Sequence, residues 1–271
     1  MMPSSINLFG YHFPLYYAGY FLAFPLCVLF NGLYYRRKYN LGNMKVVLVS
    51  MLGLNLTYVG LLLSVSILRN AVVHGMNWVR VIGFVPLLWL PLAWASKTKV
   101  KKLLDFLTPS LGINNMIIHT GCIFAGCCCG FPIESYPSWL QWMAIYNNQM
   151  KAYLFPTQLC ESFTCGLLAL VIVLWARKKH YRTDGLAFPL YLALFGTTRF
   201  IWEFFRDNPK IAGPLSEFSF WCIAWVVEGI VWIILAKIYR KRHPVQPDPI
   251  EPPDLEDEGE PQVLRPTEGQ A

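Results

Sequence analysis

Residues 195–206 read Phe-Gly-Thr-Thr-Arg-Phe-Ile-Trp-Glu-Phe-Phe-Arg, which sets two arginines and a carboxylate at the end of an apolar run. On a helix, Arg199, Glu203 and Arg206 are spaced i, i+4, i+7 and share one face. A charged stripe on an apolar helix is costly in lipid, so it must face protein, water or an anionic ligand. Arginine keeps its charge at any accessible pH and offers a planar fork of donors suited to phosphate. The reading is a phosphate-binding face at the edge of a membrane.

Three other stretches carry groups of interest. In Phe155-Pro156-Thr157-Gln158-Leu159-Cys160-Glu161, Pro156 suits a first helical turn, and Gln158 and Glu161 share a face. Glu161 should be partly buried and paired with an arginine. Residues 105–121 hold Asp105, Thr108, Pro109, Gly112, Asn114, Asn115, His119 and Gly121. So polar a stretch is expected to be broken and to line a cavity. It runs into Gly121-Cys122-Ile123-Phe124-Ala125-Gly126-Cys127-Cys128-Cys129-Gly130. Its glycines let the backbone approach a ligand and offer N–H groups.

The cysteines are read as small packing residues of a tight loop, because three consecutive cysteines cannot all face one ion. No metal and no cofactor is expected. A disulfide remains open, since the loop should lie on the oxidising side. His74, in the loop His74-Gly75, is either solvated or in contact with substrate. Tyr16, Tyr17 and Tyr20 either anchor in the interface or line a lipid pocket. Glu228, inside the last span, is structural or catalytic.

These groups must be positioned by membrane helices. The chain is 55% hydrophobic and 14% charged, the composition of a polytopic membrane protein. The expected fold is all-α, with about seven transmembrane helices near 13–35, 45–68, 78–96, 103–128, 156–176, 185–205 and 216–239. Pro86 and Pro91 should kink the third. Residues 5–14 read as an amphipathic strip on the outer surface, and 131–155 as an outer loop along the interface.

Arg36, Arg37, Lys38 and Lys45 fall in one loop, Lys97, Lys99, Lys101 and Lys102 in the next but one, and Arg177, Lys178, Lys179 and Arg182 in another. Lys237, Arg240, Lys241 and Arg242 follow the last span. The alternation sets the N-terminus outside and the C-terminus in the cytoplasm. The net charge of +7 therefore reports topology and not nucleic-acid binding. Residues 1–242 form the transmembrane domain. Residues 243–271, with eight of the sixteen acids and many prolines, should be a disordered cytoplasmic tail.

Three of these stretches resemble the prolipoprotein diacylglyceryl transferase family. Residues 121–130 look like its glycine-rich signature loop in a cysteine-rich form. Residues 155–161 resemble its His-Pro-Ser/Thr-Gln-Leu-Tyr-Glu, and residues 195–206 its Tyr-Gly-x-x-Arg-Phe-x-x-Glu-Phe-x-Arg. Leu15-Tyr16-Tyr17-Ala18-Gly19 is a weaker match. The chain departs from the pattern at His119 (arginine in the family), Cys122 (asparagine), Cys127 (glutamate), Phe195 (tyrosine) and Phe155 (histidine).

The resemblance implies transfer of the diacylglyceryl group of phosphatidylglycerol to the lipobox cysteine of a prolipoprotein signal peptide, in a bacterial plasma membrane, without metal or nucleotide. It implies Arg199 and Glu203 as catalytic residues, and His119, which stands where the family has arginine, is read as catalytic either as a replacement cation or as the base that takes the thiol proton. Arg206, Gly121, Gly126, Gln158, Glu161, Tyr17 and His74 would then contact substrate. A transferase with a different acceptor and a non-catalytic protein that binds anionic lipid are the alternatives. A transporter should show repeats with broken helices at mid-bilayer, and no internal repeat is present.

Overall fold

A computed structural model describes residues 5–8, 11–39, 41–67 and 78–243. The first helix, α1 (Leu15–Phe30), continues through a π-helical turn at Asn31–Tyr35 into α2 (Arg36–Tyr39). Then follow α3 (Asn43–Ile67), α4 (Val85–Ala95), α5 (Val100–Ala125), α6 (Thr157–Lys178), α7 (Ala187–Glu203) and α8 (Glu217–Arg242).

The fold is helical, but not purely so. Antiparallel hairpins pair β1 (Ser5–Leu8) with β2 (Tyr11–Pro14), β3 (Ile145–Asn147) with β4 (Ala152–Leu154), and β5 (Lys210–Ala212) with β6 (Leu215–Ser216). Within the expected surface strip, residues 5–8 and 11–14 thus pair as antiparallel strands. His74 and the tail after His243 lie outside the described residues.

Helix α5 is the hub, packed against α1 and α6, while α7 packs on α8. The expected break in it is absent: α5 is one helix from Val100 to Ala125, with Pro109 inside. Its polar residues are buried because other elements satisfy them. Ser110 Oγ donates to Asn31 Oδ1 at 3.0 Å, Asn31 Nδ2 to Ser50 Oγ at 2.9 Å, and Tyr58 OH to Asn114 Oδ1 at 3.0 Å. Asp105 caps α7: its carboxylate accepts the backbone N–H groups of Gly185 (2.7 Å) and Ala187 (3.0 Å). A carboxylate there satisfies orphan donors and the helix dipole together.

The expected third span is shorter than the sequence suggests. Two 3-10 turns, Trp78–Arg80 and Ile82–Phe84, lead into the 11-residue α4. Pro86 sits in its first turn, where a missing N–H costs nothing. Gly83 precedes it because a Cβ would fall 2.2 Å from the Trp225 ring of α8.

Three helical segments, Asn43–Leu63, Thr157–Lys178 and Glu217–Arg242, are long and apolar enough to cross a bilayer, with mean hydropathy of 2.0 to 2.1. Their outward residues, among them Leu62, Phe163, Leu170, Val227 and Leu235, are exposed. Such an apolar outer surface belongs in lipid, so the chain is a helical membrane protein.

The basic clusters gather at one end of the bundle. Tyr39 of α2 contacts Thr183 at 3.4 Å, Lys38 lies over the Tyr181 ring, and Arg240 Nη1 meets Asp184 Oδ2 at 3.3 Å. The pairs of Arg80 with Glu217 and of Arg199 and Arg206 with Glu161 lie at the other end, by the starts of α6 and α8 and the end of α7.

Candidate functional site

The chain must turn sharply where α5 ends, and glycine permits it. Gly126 takes the left-handed conformation (φ +64°) and stops the helix. Cys128 is also left-handed (φ +59°). The exposed carbonyls of this turn find side-chain donors: Gln149 Nε2 to Ala125 O (2.7 Å), Asn147 Nδ2 to Gly126 O (2.8 Å), Gln158 Nε2 to Cys127 O (2.7 Å) and Thr157 Oγ1 to Cys128 O (2.5 Å).

Gly130 N–H donates to Phe155 O at 2.9 Å, and Gly130 forms an antiparallel bridge with Arg206. A Cβ at Gly130 would fall 2.5 Å from Phe205 O. Loop 126–130, the entry to α6 and the exit from α7 therefore form one unit.

Arg206 is not on the helix that its spacing suggests. Helix α7 ends at Glu203, and residues 204–205 turn so that Arg206 enters the bridge with Gly130. Stacked Tyr136, Phe155 and Phe205 rings hold that turn, with centroids 4.9 to 6.0 Å apart. Phe155, where the resembled motif has histidine, belongs to this stack.

The side chains nevertheless converge on Glu161, which is 2% exposed. Arg206 grips its carboxylate with two donors, Nε to Oε1 at 2.9 Å and Nη2 to Oε2. Arg199 Nε stands 3.4 Å from Oε1, and His119 Nε2 3.3 Å from Oε2. Glu203 Oε2 pairs with Arg199 Nη1 at 2.6 Å, off the hydrogen-bond axis. Glu203 Oε1 accepts from Ser216 Oγ (2.5 Å) and Asn208 Nδ2 (2.6 Å). Ser216 also caps α8.

Four atoms in this cluster are buried without a hydrogen bond among the described residues: Arg199 Nη1 and Glu203 Oε2, which face each other as an ion pair, and Arg199 Nη2 and His119 Nδ1, which face no such partner. Buried donors of this kind are normally satisfied. Arg199 thus has donor capacity for an anion. Glu161 is an acceptor, so His119 Nε2 carries the proton facing it, and neutral His119 presents a lone pair at Nδ1.

The other candidates have different settings. Gly121 is inside α5 and not in a loop; its Cα lies 3.5 Å from where a Cβ on Gly19 of α1 would stand, so it serves the α1–α5 approach. The Gly126 N–H bonds to Ile123 O and the Gly130 N–H to Phe155 O, so neither offers the free N–H expected of this loop. Gln158 holds the cysteine loop. The Tyr17 side chain, like His74, is outside the described residues. Glu228 is half-buried beside Gly83.

All eight cysteines are free thiols. Burial raises the Cys129 thiol, which turns to Gly126 O and Asn147.

A second ion pair was not anticipated. Buried Arg80 makes a two-donor contact with Glu217, Nε to Oε1 at 2.9 Å and Nη2 to Oε2 at 3.0 Å. It ties the 3-10 turn before α4 to the start of α8. Only its position just inside an apolar segment hinted at this need.

Residues 15–235 match the family described as Prolipoprotein diacylglyceryl transferase. The phosphatidylglycerol–prolipoprotein diacylglyceryl transferase of Clostridium tetani is 32% identical over 136 residues, 48% of this chain and 52% of that protein. The enzyme of that name numbered 2 in Clostridium perfringens is 28% identical over 148 residues, 54% of this chain and 57% of that protein. A Helicobacter pylori enzyme of the same name is 41% identical over 67 residues, 25% of this chain and 22% of that protein. The chain thus spans little more than half the length of the first two relatives. With a match that runs from α1 to α8, the chain belongs to the prolipoprotein diacylglyceryl transferase family.

Proposed function

We propose that the chain moves the diacylglyceryl group of phosphatidylglycerol to the lipobox cysteine thiol of a prolipoprotein, in the plasma membrane of a bacterium. The observation that carries this reading is Arg199. Its Nη2 group is buried without a hydrogen bond among the described residues, while Glu161 at Nε and Glu203 at Nη1 hold the guanidinium in place. An anionic phosphodiester suits that donor.

In the reaction the cysteine sulfur attacks the glyceryl carbon that carries the phosphate ester. The C–S bond forms, the C–O bond breaks, and glycerol phosphate leaves with the bonding electrons. Arg199 stabilises the charge that grows on the phosphate, and a donor so placed contributes about 3 kcal/mol to transition-state stabilisation. His119 Nδ1 takes the thiol proton. Arg206 and Glu203 position the cluster.

The topology is part of the proposal: seven spans, N-terminus outside and a disordered cytoplasmic tail at 243–271. The gathering of Lys38, Arg240 and their neighbours at one end supports that orientation. The arginine site then lies at the outer face, where the lipobox would meet it. The test is complementation of a strain depleted of its own diacylglyceryl transferase. Restored lipoprotein modification by this chain, lost with Arg199→Ala, is expected. Accumulation of unmodified prolipoprotein beside correctly inserted protein would contradict it.

A further inference from the structure

Cys122, Cys127 and Cys128 take no part in the proposed reaction, yet the fold gathers them. Their three sulfur atoms lie within 4.8 Å of one another. Side chains of adjacent residues ordinarily diverge. Here the left-handed Gly126 and Cys128 reverse the chain, so that residues 127 and 128 both fold back onto Cys122 in the last turn of α5. Four side-chain hydrogen bonds hold that reversal, from Gln149, Asn147, Gln158 and Thr157.

The third member of the Cys-Cys-Cys run is excluded. Cys129 faces Gly126 O at 3.8 Å and Asn147 Nδ2 at 3.6 Å. The sequence objection was therefore right about Cys127 to Cys129, and it missed Cys122.

Thiolate sulfurs around a tetrahedral zinc stand about 3.8 Å apart, given a Zn–S bond of ~2.3 Å. The three thiols need to close by no more than roughly 1 Å to reach that spacing. Sulfur donors select soft or borderline ions over magnesium and calcium. Three thiolates around Zn²⁺ leave one net negative charge, which would lie beside the Arg206 guanidinium, a neighbour of Cys128 as well as of Glu161. We propose that Cys122, Cys127 and Cys128 form a three-thiolate zinc site, its fourth position left to an exogenous ligand. This does not depend on the transferase reading.

The test uses the full chain, purified in detergent with an affinity tag that lacks histidine. After equilibration with Zn²⁺ and competition against a chromophoric chelator, one zinc ion per chain should remain. Cobalt substitution should give a thiolate-to-metal charge-transfer band. Cys122→Ser and Cys127→Ser should each lower zinc affinity at least tenfold and weaken the band, while Cys129→Ser should leave both unchanged. Wild-type protein that elutes as a monodisperse species yet retains no zinc would overturn the proposal. So would a disulfide between any two of the three cysteines, found by mass spectrometry of unreduced protein. Transfer activity is not the readout, so loss of the zinc site would leave the transferase reading standing.

Discussion

Arg206 donates from Nε to Glu161 Oε1 at 2.9 Å across 45 residues of chain, which fastens the turn after α7 to the first turns of α6. The pair is buried on both sides. A buried carboxylate with one partner would be a poor source of stability. Glu161 has three: Arg206, Arg199 and His119.

Glu161→Ala leaves two buried guanidiniums without their common anion. The expected loss is about 3–5 kcal/mol of stability. Thermal unfolding in detergent would register it as a large fall in Tm. An unchanged Tm would mean that the arginines are stabilised elsewhere.

Arg199→Ala and Arg206→Ala should differ. Arg199 holds Nη2 in reserve, so its loss should lower transfer by about a hundredfold or more. Its effect on folding should be the smaller one, because Glu161 keeps Arg206 and Glu203 keeps Ser216 and Asn208. Arg206 uses its donors on Glu161, so its loss should reduce both Tm and activity. Equal effects on Tm would remove the distinction.

Asp105→Ala removes the cap of α7 far from the arginine cluster. A capping loss of about 1–2 kcal/mol is expected. Retained transfer activity at low temperature, with a lowered Tm, would fit a purely structural role. A loss of kcat in stable protein would not.

Gly130→Ala places a methyl against Phe205 O, where a Cβ stands 2.5 Å away. The strands at the Gly130–Arg206 bridge must separate, and Arg206 moves with them. Activity should fall sharply, and more than for Gly126→Ala in a stability-matched comparison. Full activity in Gly130→Ala would show that the bridge does not position Arg206.

The charge–hydropathy pattern made the helical membrane class readable, and the unpaired-acid argument identified an arginine partner for Glu161. Helix periodicity then misled at Arg206, because the Tyr136–Phe155–Phe205 stack that ends α7 joins residues far apart in sequence. The polarity of α5 was read as a sign of a broken helix. Its residues are buried instead by Asn31, Tyr58 and the α7 N-terminus, partners that no local pattern reveals. The meeting of Cys122 with Cys127 and Cys128 depends on backbone signs at two positions, and only the glycine at 126 announced one of them.

The most direct test is turnover by the purified chain in detergent with phosphatidylglycerol and a lipobox peptide, read by mass spectrometry beside Arg199→Ala and His119→Ala. The account predicts a thioether-linked diacylglyceryl peptide and released glycerol phosphate from the wild type, with product lost in both variants. Absence of product while phosphatidylglycerol remains bound would contradict it.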